Sequence, residues 1–255
     1  MIRFDLLKNF FKLNFKLKYS SSRLGILWSF FNPLITLIIF TIVFEYILKI
    51  EMDNFPLFFF SGIVVWSFIS ANIVNSCFAF VRHFDIIQKI KFDYRALLLS
   101  EIGVNSIVFG VNMLLLAFFS YFSGGRISTS NFLIHFPLLI LHLYLISYSL
   151  GLFVSTACVF VRDIPHATEI ILNVWFYASP VFYTTEMIPE NLSRFFLLNP
   201  VFYSLISIRK IFYQADFGNE YIWNAFGINS VIIIAFTILA HIFFKRNEKW
   251  FPEDI

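Results

Sequence analysis

Residues 132–161 run for 30 positions without a single charged side chain. Wound as an α-helix at about 1.5 Å per residue, this run is roughly 45 Å long, more than the ~30 Å hydrocarbon core of a bilayer. Six stretches of the chain are apolar enough to cross: 24–48, 55–81, 96–122, 132–161, 164–183 and 221–244. Only 14% of the residues are charged and 59% are hydrophobic, with a mean hydropathy of +0.77. Soluble domains carry about 25% charged residues, so the chain is read as an all-α membrane protein with six transmembrane helices. The first run follows a basic leader of 23 residues and is too long for the ~7–15-residue core of a cleaved signal, so a retained helix is expected. Two cysteines, Cys77 and Cys158, cannot make a disulfide framework, and a net charge of +3 is too small to imply nucleic acid.

A seventh apolar run, 195–208, has 14 residues and contains Asn199-Pro200. It is too short to cross. Irregular backbone at membrane depth is tolerated where it is packed in protein or lines water, so an extracellular re-entrant segment between spans five and six is expected, with a surface loop as the alternative. Charge sets the orientation. With the N-terminus inside, 14 Lys and Arg fall on the cytoplasmic side and 5 outside (Lys49, Arg126, Arg194, Arg209 and Lys210). This is the positive-inside pattern, with both termini cytoplasmic.

Within the leader, residues 1–23, apolar and polar residues alternate over 11–18 as in a strand. At helical spacing Asp5, Lys8, Lys12 and Lys16 instead share an arc opposite Leu6, Phe10, Leu13 and Leu17. No segment offers a partner strand, so a cytoplasmic amphipathic helix on the membrane surface is expected, with 24–255 as the transmembrane domain. The stretch YSSSRLGILWSFFNPL, 19–34, then turns the chain into the membrane. Gly25 permits close backbone approach, Trp28 suits headgroup depth, and Asn32-Pro33 should bend the first helix.

That stretch resembles the opening signature of the ABC-2 type permeases that export polysaccharides, Y-x-x-S-x-L-G-x-L-W-x-x-x-x-P-L, matched by Tyr19, Ser22, Leu24, Gly25, Leu27, Trp28, Pro33 and Leu34. IIQKIKF at 86–92, FVRDI at 160–164 and SPVFYTTEMIPENLSRFFLLNP at 179–200 resemble further family segments in order and spacing. Asp93 departs from the family's usual proline after Phe92. The resemblance implies a half-transporter of the bacterial cytoplasmic membrane. Two copies form the pore, and two copies of a nucleotide-binding ATPase subunit use ATP and Mg. The cargo would be O-antigen on a polyprenyl diphosphate carrier, or capsular polysaccharide or teichoic acid. No glycine here begins a GxxxxGK[ST] phosphate loop, so no ATP site and no cofactor are expected on this chain.

The resemblance also sorts the candidate site residues. Arg82, Asp85, Ile86, Ile87, Lys89, Ile90 and Phe92, with Arg162 and Asp163, are the expected ATPase-coupling surface, Ile86, Ile87 and Ile90 making an apolar face for a groove. The alternatives are a basic loop that only sets topology and an Asp163 that only caps the next helix. Tyr19, Ser22, Arg23, Gly25, Trp28 and Pro33 are the substrate doorway, or a plain anchor. Tyr177, Pro180, Phe182, Tyr183, Asn199, Pro200 and Tyr203 are candidates for pore lining and outer gate, aromatic rings suiting sugar contact. Glu45, Glu101 and Glu169 lie away from the midplane, which favours structural or gating roles over a proton relay. Two readings compete: an ABC-2 drug exporter, and a membrane metalloenzyme or haem protein drawing on His83, His166 and His241. His135 and His142 are about 10.5 Å apart along one helix and cannot share a metal.

Overall fold

In the computed structural model, residues 4–20, 25–47, 49, 52–90, 92–124, 129–215 and 217–251 are described, and every regular element among them is helical. Ten α-helices follow in order: α1 Phe4–Tyr19, α2 Trp28–Thr41, α3 Phe55–Cys77, α4 Phe84–Lys89, α5 Arg95–Phe122, α6 Thr129–Phe160, α7 Ile164–Tyr177, α8 Glu190–Leu197, α9 Phe202–Phe212 and α10 Asn219–Asn247. Four are long and apolar enough to cross a membrane: α3, α5, α6 and α10 with its short extension to Trp250.

The strand reading of the leader is overturned, because α1 is one amphipathic helix of 16 residues. It does more than lie on a surface. Phe10 and Asn14 are buried, Phe10 against the rings of His83 and Phe92, and Asn14 Nδ2 donates to Ser100 Oγ on α5 at 2.8 Å. The first apolar run has irregular ends. A 3₁₀ turn, Gly25–Leu27, leads into α2, the helix continues through Pro33, and a π-helical turn, Ile42–Ile47, closes it. The fifth run is shorter than expected: α7 has 14 residues and stops at Tyr177, before Pro180.

α3 is the axis of the fold. It is apolar on all sides, as a fully enclosed helix should be, and 78% of its membrane-length window is buried. α10 is the opposite case, with 17% buried and an apolar surface left for lipid or another chain. Close packing around α3 uses two glycines. A Cβ on Gly151 of α6 would meet Ser76 Oγ at 2.6 Å, and one on Gly62 would meet the Val181 carbonyl at 2.7 Å and Arg209 Nη2 at 3.2 Å.

The run 195–208 folds as helix, turn and helix. α9 lies inside the bundle rather than on it. Its first turn meets His142, 13 residues along α6, and Asn229, 10 residues along α10, while the carbonyl of its last residue, Phe212, accepts from Ser120 Oγ at 2.7 Å near the end of α5. Buried helix starts leave unpaired N–H groups. Here Asn199 Oδ1 accepts from the Val201 N–H at 3.1 Å and Asn229 Oδ1 from the Tyr203 N–H at 3.0 Å. Asn229 Nδ2 returns a bond to the Leu197 carbonyl at 2.6 Å.

These close approaches can be tested. Gly62→Ala should lower the melting temperature of the detergent-solubilised protein, because the contact is a backbone carbonyl and a buried guanidinium; overpacking of this kind costs about 1–3 kcal/mol. Gly110→Ala, where a Cβ meets nothing within 4 Å, should leave it unchanged or raise it slightly. Equal melting temperatures for the two variants would refute the packing described for Gly62.

Candidate functional site

The stretch expected to form the doorway covers the end of α1 and the start of α2, with residues 21–24 outside the described residues. Gly25 has φ +46, a conformation that strains a side chain, and a Cβ there would sit 3.3 Å from the Tyr19 carbonyl. The backbone that approaches Gly25 is thus the chain's own. Trp28 is 56% exposed and packs edge-on to Phe31 at 6.2 Å, as an interfacial anchor would, whereas Pro33 is buried. Ser22 and Arg23 lie outside the described residues.

Behind Trp28 and Pro33 is a cavity of about 530 Å³ between α2, α3 and α5, its wall including Lys18, Asn32, Asn75, Asn105 and Asn112. Lys18 Nζ donates to Asn105 Oδ1 at 2.5 Å, Asn75 Nδ2 donates to the same oxygen at 3.1 Å, and Asn105 Nδ2 donates to Asn72 Oδ1 at 2.8 Å. Asn72 Nδ2 then reaches Ser147 Oγ on α6 at 3.2 Å. A polar ladder therefore crosses four helices from the cavity wall inward. Burial pushes the Lys18 ammonium below the usual lysine range, while the charge of Glu101 opposes that shift. Asn112 Oδ1 faces this region with no hydrogen-bond partner.

Sequence reading weighed the intramembrane acids and passed over these amides. The signal was available: Asn72 and Asn75, and Asn105 and Asn112, recur at helical spacing inside otherwise apolar runs. Glu101 does take a structural role. It is 2% exposed and accepts from Arg82 Nη1 at 2.9 Å, tying α5 to the link that follows α3.

That link, between α3 and α5, divides the expected coupling residues. Ile87 is 2% exposed and belongs to the chain's own core, Ile86 is half-buried, and Ile90 is 57% exposed. The single apolar face expected from Ile86, Ile87 and Ile90 is therefore split: α4 has only six residues and turns Ile87 inward to hold the link down. Phe92 also packs inward, on Phe10 and Tyr94. Asp85, Lys89 and Ile90 are left on the surface, with Arg82 partly exposed. At Asp93 the carboxylate accepts from the Arg95 N–H at 3.2 Å and from Arg95 Nε at 2.8 Å, tying the first residue of α5 to the turn before it. The Arg95 bonds hold its carboxyl below the usual range. Arg162 and Asp163 are exposed before α7; Asp163 occupies the cap position, but its side chain makes no capping hydrogen bond.

At the other end of the bundle, the aromatics gather around Phe182, whose ring lies 5.9 Å from Phe40 and Phe44 and 5.7 Å from Phe176. Tyr183 Oη donates to the Tyr177 carbonyl at 3.1 Å, and Tyr177 is 65% exposed. Pro180 is buried and Pro200 half-buried. Asn199 is a clamp, accepting from Trp175 Nε1 at 3.0 Å and donating to Ser179 Oγ at 2.8 Å. Tyr203 is fully buried within the chain, edge-on to His142 at 5.0 Å, because α9 is enclosed on every side. It is a core residue in this chain. Three histidines are spread through the packing, His83 against the Ala79 carbonyl, His135 beside Trp223 and His142 on Ser204, while His166 is exposed and His241 half-buried.

The chain matches the ABC-2 type transporter family over residues 6–213. It is similar to an O-antigen export system permease protein RfbA of Klebsiella pneumoniae, 28% identical over 219 residues, which is 86% of this chain and 84% of that protein. A protein of the same description from Myxococcus xanthus is 27% identical over 244 residues, 94% of this chain and 91% of its own. With a doorway stretch, a polar-lined cavity and four membrane-length helices inside the matched region or continuing from it, this chain belongs to the ABC-2 type transporter family.

Proposed function

We propose that this chain is the membrane-spanning permease subunit of an ATP-driven exporter of lipid-linked polysaccharide, with O-antigen on a polyprenyl diphosphate carrier as the cargo. The relatives described as O-antigen export permeases support the cargo class. The cavity behind Trp28 carries the reading for this chain: it is reached from the interfacial helix, has an aromatic anchor at its edge, and holds the Lys18 ammonium and carboxamide groups on its wall. That combination suits the phosphate headgroup of a lipid carrier whose polyprenyl tail stays in the bilayer.

Two such chains form the pore, and two copies of a separate ATPase subunit bind ATP and Mg and dock on the link between α3 and α5. The broad apolar exposure of α2 and α10 supports a second copy or lipid against them. In the membrane, α2 with its π turn and α7 with residues 178–183 complete six crossings, both termini are cytoplasmic, and α8–α9 enters from outside and returns. The depth at which α9 meets His142 and Asn229 favours that re-entrant placement. Arg162, Asp163, Asp85, Lys89 and Ile90 then face the ATPase together.

Three outcomes are expected. In cells lacking their own permease, Lys18→Met should reduce surface polysaccharide by roughly tenfold or more at equal membrane abundance, the loss of one charge-assisted contact, while Lys18→Arg retains most export. Unchanged export by Lys18→Met would remove the headgroup role. Ile90→Asp should abolish co-purification of the ATPase from a folded permease, whereas Ile87→Asp should lower permease abundance by burying a charge. Retention of the ATPase by Ile90→Asp would move the docking site elsewhere. A cysteine at Ser123 should react with an impermeant thiol reagent on intact cells and one at Asp163 should not; the reverse pattern would invert the orientation.

A further inference from the structure

Arg209 stands out among the buried side chains. Its residue is fully buried in α9, and a guanidinium keeps its charge in a protein interior. Charges in such places are normally paired, yet among the described residues no carboxylate lies within ion-pair distance of it. Its Cζ sits 3.6 Å over the centre of the Phe58 ring, Nη2 donates to the Val181 carbonyl at 2.7 Å, and Nε has no hydrogen-bond partner.

Arg209 also borders a second cavity, of about 520 Å³, at the end of the bundle opposite the α3–α5 link. Thr184, Thr185, Tyr213 and Tyr221 supply hydroxyls and rings around it, and Asp53 and Gly218 are exposed at the rim. Nothing in the doorway or coupling surface uses this space.

We propose that this cavity is a saccharide subsite selective for a monoanionic sugar, a hexuronate, whose carboxylate pairs with Arg209. The charge pattern selects the class. A buried cation with no carboxylate partner among the described residues asks for an oxyanion, and the planar fork of arginine matches a carboxylate. Inorganic phosphate, a mixture of monoanion and dianion at neutral pH, would in its dianionic form bring a second negative charge toward the Asp53 carboxylate. A uronate brings one, and its ring hydroxyls can donate to Asp53 and to the threonine oxygens. The aromatic rings give the sugar an apolar face to lie on. The inference builds on the polysaccharide reading, and it specifies where an acidic residue of the polymer would be held on the far side of the bundle.

The test uses the full chain in lipid nanodiscs, titrated with glucuronate, glucose and inorganic phosphate and followed by saturation-transfer NMR and calorimetry. Glucuronate should bind with roughly tenfold preference over glucose, the worth of one charge-assisted contact, and phosphate should bind poorly. Thr184→Val with Thr185→Val, which leaves the buried guanidinium in place, should weaken glucuronate binding several-fold in a protein of unchanged melting temperature. Arg209→Gln, which removes the charge and is checked for folding in the same way, should erase the preference over glucose. Asp53→Asn, at an exposed position, should admit phosphate. Equal binding of glucose and glucuronate, no glucuronate binding, or phosphate binding equal to glucuronate in the unaltered chain would each overturn the subsite. Polysaccharide export measured in cells is a separate readout: if export persists while glucuronate fails to bind, the subsite falls and the transport reading stands.

Discussion

Everything in this fold depends on how polar groups are satisfied where water is scarce. A helix interrupted inside a bundle exposes N–H groups that hydrocarbon cannot pair, at a cost of several kcal/mol for each in the membrane core. The break between α8 and α9 is possible because two asparagines meet those demands from opposite sides. Asn199 serves its own turn and ties it to Trp175 and Ser179, while Asn229 reaches across from α10 to both ends of the break. With the turn held in this way, α9 can carry Tyr203 and Arg209 into the interior.

The same rule explains what could be read in the sequence and what could not. Apolar length is a one-dimensional property, so the runs that became α3, α5, α6 and α10 were visible at once. α7 was read six residues too long because 178–183 is as apolar as the helix before it, and only Pro180 marks the stop. The leader's ambiguity between strand and helix was settled by partners that composition cannot identify: α5, which receives Asn14, and the link before it, which receives Phe10. Helix rotation was the main blind spot. Ile87 and Ile90 are three residues apart, yet one is core and the other surface, and Tyr203 was assigned to a channel wall when it sits inside the chain. Aromatic type does not reveal which way a ring faces.

The asparagines taught the opposite lesson. Carboxylates draw attention in a membrane segment because a charge is costly there, but an amide offers two donors and an acceptor without carrying charge. That makes it the better material for a ladder. Lys18, Asn105, Asn72 and Ser147 link α1 to α5, α3 and α6 through three hydrogen bonds, and only the first involves a charge. The lysine lies at the cavity and the neutral members lie deeper, so the cost of burial falls as the ladder leaves the water.

One ion pair connects this ladder to the surface where the ATPase is proposed to dock. Arg82 belongs to the link after α3 and is 37% exposed, while its partner Glu101 is 2% exposed on α5, one helical turn before Asn105. A displacement of the link would have to move Glu101 or leave its carboxylate buried without a partner, which is far more costly than shifting an exposed pair. The favourable response is for α5 to follow the link, and Asn105 with it, so that its bond to Lys18 at the cavity wall must also adjust. On this geometry a push on the link between α3 and α5 reaches the cavity wall through the Arg82–Glu101 pair, α5 and the Asn105–Lys18 bond.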